Sequence, residues 1–157
     1  MSVVLQEQNR NRAASVPISE QNKIVVLLLE KIKTSGIFQN YEIIFNDLKT
    51  DKSNVGIMLL SGAVKNRIDV CGGYDAVIPF AIVLRTLGTV KESERINKLD
   101  LIDQMGMWFE ENVVRDKTIT GYTIYNVEQT SQSVVSYRDD SGIEDVSAEF
   151  KINYSKD

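Results

Sequence analysis

The sequence predicts an α+β domain in which two main helices pack on an antiparallel sheet. Three observations carry that prediction. Apolar residues cluster in two helix-like stretches, at Ile24–Leu29 and from Ile96 to Phe109. Runs rich in β-branched and aromatic residues lie between and after them, separated by turn-forming segments. Towards the C-terminus, Val146, Ala148, Phe150, Ile152 and Tyr154 alternate with Ser147, Glu149, Lys151 and Asn153, the pattern of a strand with one buried face. A chain of 157 residues has the length of one domain. It buries roughly two-thirds of its unfolded surface, enough for a core without staples.

Taken in order, residues 1–18 read as a flexible N-terminal arm and residues 19–157 as the domain. The arm is polar and aperiodic from Gln6 to Arg12, too poor in apolar surface to offset its own ordering entropy. Its other reading is a segment that orders against a neighbouring subunit, anchored by Val3, Val4 and Leu5. Ser19 is positioned to cap a first helix that runs to about Thr34 and stops before Gly36. The block Ile24–Leu29, followed by Ile32, makes this a core helix with Glu20, Lys23, Glu30, Lys31 and Lys33 at its wet ends.

Short β runs follow at 41–46, 55–60 and 67–71, and Gly72-Gly73 then breaks the chain. From Tyr74 to Arg85, Tyr74, Ala76, Ile78, Phe80, Ile82 and Leu84 share one face of a long strand. Pro79 lies on the other face and cannot donate to a ladder, so the strand is expected to be an edge or to bulge there. Thr89-Val90-Lys91-Glu92 reads as a capping box opening the second helix. Ile96, Leu99, Ile102, Met105, Trp108 and Phe109 form its stripe, widened by Leu101, and Trp108 reads as core. The C-terminal third reads as a hairpin, with strands over 118–136 and 146–154 joined through Tyr137–Gly142.

The side chains argue against chemistry. The chain has no His, which removes the usual general base and the commonest metal ligand. Its one cysteine, Cys71, excludes an intramolecular disulfide framework, a multi-thiolate zinc site and a Cys–His pair. The acidic group Asp139, Asp140, Glu144 and Asp145 misses the spacing of a calcium loop and reads as solvated turn residues. Gly72-Gly73 is no phosphate loop, because neither Lys-Ser/Thr nor a helix follows. A net charge of −4 with dispersed Lys and Arg leaves no basic stripe for a nucleic acid. The longest apolar run, Ile24–Leu29, is far short of the roughly 20 residues that span a bilayer. The chain therefore reads as intracellular, with no catalytic residue, no metal and no cofactor.

The order of features from Tyr74 to Tyr154 resembles the tail-terminator (tail completion, minor capsid) proteins of tailed bacteriophages and phage-tail-like bacteriocins. The likeness lies in the apolar strand 74–85 and in a helix ending Gly106-Met107-Trp108-Phe109-Glu110-Glu111-Asn112. It continues through Val127-Glu128-Gln129-Thr130-Ser131, an acidic glycine turn and Ser147–Tyr154. The first helix and the strands after it match the family's order too. None of these is a diagnostic motif, and the resemblance transfers no named residue.

The resemblance implies a structural homo-oligomer, usually a hexameric ring, that caps the tail tube, ends its polymerisation and faces the head or neck. The implied partners are further copies of the chain, the tube protein and a sheath, collar or head-completion protein. The implied location is the bacterial host cytoplasm during assembly, then the particle. On that reading the candidate assembly contacts are Val3, Val4 and Leu5 of the arm, the Gly72-Gly73 loop into Tyr74, the edge at Pro79, and Asp139 and Asp140 of the turn. Two alternatives stand beside it: another head–tail connector, neck or tail tube component, and a small ligand-binding domain or enzyme.

Overall fold

The computed structural model describes residues 15–88 and 91–157. Its elements are α1 (Ile18–Ser35), β1 (Glu42–Phe45), β2 (Asn54–Leu59), β3 (Val64–Ile68), β4 (Tyr74–Leu87), α2 (Glu92–Asn112), β5 (Tyr122–Gln129), β6 (Val134–Arg138) and β7 (Ile143–Lys156). The seven strands make one sheet in the order β1-β2-β4-β7-β5, with β3 also paired to β4 and β6 to β7. The fold is α+β as expected, and the sheet is antiparallel except for the parallel pair β1–β2.

The strand count exceeds the expected one because the two longest strands outlast their partners. β4 takes β2 along one half and β3 along the other; β7 takes β5 and then β6. The expected run 118–136 is therefore two strands. The chain turns where the Glu149 amide donates to Ser131 Oγ (2.8 Å) and the Thr130 amide to the Glu149 carbonyl (2.8 Å). Likewise β3 occupies 64–68 rather than 67–71, and Asp69–Gly73 form its turn.

Both helix starts differ from expectation. α1 begins at Ile18 after Pro17, whose extended backbone (φ −57°, ψ 142°) starts the helix without a side-chain cap, so Ser19 is already helical. Its end is as expected, with Gly36 left-handed at φ 72° and its amide on the Lys33 carbonyl. Residues 15–18, assigned to the arm from sequence, belong to the domain: Ser15 bridges Val64, Val16 is buried, and Gln21 Nε2 donates to the Val16 carbonyl (2.9 Å). Helix α2 starts after Lys91 with no side-chain cap in place of the expected box, and Thr89 lies outside the described residues.

The stripe of α2 also rotates. Lys98, Ile102, Met105 and Phe109, spaced four, three and four apart, are buried, whereas Ile96 is exposed. Lys98 is tolerated because its ammonium donates to Thr86 Oγ1 (2.8 Å). At the centre Phe80 stacks on Phe150 (centroids 5.3 Å, 17° between planes), and Phe109 of α2 meets both rings edge-on. Trp108 packs at the margin of this core against Phe109.

The sheet is built from a repeated unit. Val64 pairs with Val77 and, 70 residues further on (64 to 134, 77 to 147), Val134 pairs with Ser147. The same step carries the ladder irregularity at Lys65/Arg67 onto Val135/Tyr137, and Gly72 (φ 93°) onto Gly142 (φ 93°). β4 and β7 pair antiparallel with Phe80 opposite Phe150, so a local twofold axis passes through the stacked rings.

Candidate functional site

The candidate contacts scatter once placed. Gly72 lies exposed in the β3–β4 turn, its amide on the Asp69 carbonyl (3.1 Å). Gly73 is buried, and a side chain there would meet the Lys156 carbonyl at 2.8 Å. A glycine is required there for close backbone approach. Val3, Val4 and Leu5 lie outside the described residues.

Tyr74 is not a surface contact. It is buried, and its hydroxyl donates to the carboxylate of Glu20, another residue that sequence placed at a wet end. Tyr122 (2.9 Å) and Tyr154 (2.6 Å) donate to the same carboxylate, while the Lys156 ammonium stands 3.8 Å away. The first turn of α1 is thus fastened to β4, β5 and β7 through one acid. Burial, then the bond to Glu20, raises the Tyr122 hydroxyl to about 12 and pushes Tyr74 and Tyr154 well above the ordinary phenol range.

Pro79 is neither at an edge nor at a bulge. It sits inside β4, opposite Lys151 of β7 in unbroken register. Its carbonyl accepts from the Leu60 amide (3.1 Å), just past the last β2 pair, Leu59–Phe80, and before the first β3 pair, Val64–Val77. In an antiparallel ladder a residue's N and C=O point to the same side. The missing donor therefore faces the gap where β2 gives way to β3, and no ladder bond is lost.

The acidic cluster divides. Asp139 shapes its turn, accepting from the amides of Ser141 and Ile143 (both 3.0 Å), Ser141 Oγ (2.6 Å) and the Tyr137 hydroxyl (3.2 Å). The Ser141 hydroxyl leads in holding its carboxyl below the usual range. Asp140 is exposed. Glu144 and Asp145, expected to be solvated, are buried in pairs. Arg95 grips Glu144 at 2.6 and 2.9 Å, and Arg85 grips Asp145 at 2.8 and 2.9 Å. Among the described residues no His, Cys, Asp or Glu group is arranged to hold a metal, and no helix is long and apolar enough to cross a membrane.

The sheet presents two flanks, while exposed apolar residues such as Val26, Ile96 and Met107 lie on the helices. One flank carries β1 and β3, with Phe45, Val64 and Ile68 exposed; the other carries β5 and β6, with Tyr125, Val134 and Tyr137 exposed. Lys49 and Lys52 both bind Glu42 at the start of β1, and their hydrogen bonds draw its carboxyl down to about 2. An open cleft lined by Ile32, Phe38, Tyr41 and Ile43 lies beside β1.

These features went unread in the sequence, although one signal for them was there. Asp-x-x-Gly-x-x-Asp-x-x-x-x-Phe-x-Ile occurs at Asp69–Ile82 and again at Asp139–Ile152, and it marks the repeat that creates both flanks. Against models of known protein families the chain matches none, and no curated protein matches it significantly.

Proposed function

We propose that this chain is a structural subunit that assembles with copies of itself into a ring, of the tail-terminator type that its order of elements resembles. Such a ring caps a tail tube, ends its growth and presents a face to the head, neck or collar. The observation that supports this reading is an open sheet whose two flanks differ in strands, with β1 and β3 on one and β5 and β6 on the other. Unlike flanks suit a heterologous contact, in which one patch meets a different patch on the next copy; such contacts close into rings or run on as filaments. A 157-residue domain is roughly 35–40 Å across, so six copies in a ring leave a hole of about the same width. In this reading the chain needs no catalytic group, and its partners are itself and the tube protein.

Electron microscopy of the purified protein, alone and mixed with tube protein, tests the proposal. Closed rings, or rings seated on tube ends, are expected. Long tubes from the protein alone would refute the terminator role and favour a tube subunit.

A further inference from the structure

We infer that neighbouring copies join by adding β6 of one chain to β1 of the next, extending one sheet across the contact. The inference deepens the ring reading and rests on it for closure of the array, while the contact itself is argued from the sheet. Glu42, Asn54, Arg85, Asp145 and Tyr137 lie on one rung, and Ile43, Val55, Leu84, Val146 and Val135 on the next. β1 and β6 are thus the opposite ends of one five-strand row, at the same height. A second copy set beside the first without any shift along the strands brings its β1 against β6.

Direction and chemistry agree. β1 runs with β2, against β4, and β6 runs against β7 and so with β4, which makes the new pair antiparallel. Antiparallel pairing on these rungs sets Ile44 of β1 against Val134, at the start of β6, and Ile43 against Val135; Val134 is exposed and the other three are half-buried. At the other end, Glu42 with Lys49 and Lys52 meets Arg138, Asp139 and Asp140. Apolar side chains meet apolar ones, and mixed charges meet their complements. Pairing β6 with β6, or β1 with β1, instead sets an apolar end against a charged one.

The repeat explains why β6 is the flank left over. In the first unit, Ser15 bridges the outer edge of β3 at Val64. At the equivalent Val134, among the described residues, no strand lies beyond β6. An exposed edge with apolar side chains is a template for another strand.

Disulfide trapping on the full chain, with Cys71→Ser throughout, tests the contact. A mixture of Ile44→Cys and Val134→Cys chains is expected to form covalent dimers at least about tenfold faster than either variant alone, because pairing raises the effective thiol concentration. A chain carrying both substitutions is expected to give a ladder of covalent oligomers. Equal dimer yield from a single variant would overturn the inference in favour of a symmetric contact. Trapping of Val134→Cys by Val4→Cys but not by Ile44→Cys would overturn it by giving the edge to the N-terminal segment. Rings in the microscope without the Ile44–Val134 product would refute this contact and leave the ring; the product in open filaments would keep the contact and refute the terminator. A monomer with no product at the highest soluble concentration refutes the contact. Tyr137→Glu supplies the second arm: set against Glu42 on the same rung, it should lower the product at least about tenfold while circular dichroism shows it folded like the parent.

Discussion

Replacing Glu20 by Ala should be among the most damaging single changes in the protein. The carboxylate is 4% exposed and accepts from Tyr74, Tyr122 and Tyr154. Hydrogen bonds to a charged acceptor contribute about 1.5–3 kcal/mol each, so the three give a gross loss of about 5–9 kcal/mol. Release of the buried charge, and water entering the space, offset part of this, leaving a net cost of about 3–5 kcal/mol. The exposed Lys156, 3.8 Å away, adds little. For a domain of this size the melting temperature should fall by about 6–20 °C. Tyr154→Phe, which removes the most buried hydroxyl of the three, should cost about 1.5–3 kcal/mol. Urea titration followed by circular dichroism measures both. A Glu20→Ala variant within about 1 kcal/mol of the parent would refute the reasoning, since three orphaned hydroxyls cost more than that unless they find partners elsewhere.

Three further outcomes follow from other parts of the structure. Glu144 is held below the usual carboxylate range, chiefly by its hydrogen bonds from Arg95. The unfolded chain therefore binds that proton more tightly than the folded one, and the contribution is complete above about pH 4.3 and lost as pH falls through the folded value. Glu144→Gln should lower stability at neutral pH and flatten the acid limb of the stability–pH curve. Gly56→Ala should cost about 1–3 kcal/mol, because its Cβ would stand 2.7 Å from the Asp47 carbonyl. Gly106→Ala should cost less: its Cβ would clash with Gln129 Oε1, whose amide must swing away from Asp103 and the Ser131 carbonyl, while alanine favours the helix. Melting of the two variants side by side checks the contrast.

Much of the fold could be read along the chain, and the reasons are local. Period-two alternation identified the buried face of β4, Tyr74 through Leu84, and of β7, Val146 through Tyr154, because side-chain direction in a strand depends only on position. Gly36 ended α1 as expected because a left-handed residue is a local requirement. The candidate contacts fared differently. Tyr74 and Pro79 both depend on what lies beside β4, and no local pattern reports a neighbour 70 residues away. Glu20 reads as a solvated first-turn acid until three tyrosines from distant strands converge on it.

By itself, then, the sequence determined an α+β domain with two helices and clean strand faces, because periodicity and turn chemistry act over a few residues. Only the tertiary structure decided which strands are central and which are edges, since strand pairing is non-local. It decided that β2 and β3 share β4 as β5 and β6 share β7, which gives Pro79 a gap to face and sets Phe80 on Phe150. It also decided that Glu144 and Asp145 are buried pairs rather than turn charges, because their arginines arrive from α2 and β4. The same non-local pairing leaves β1 and β6 as the ends of one row, where a second copy can continue the sheet.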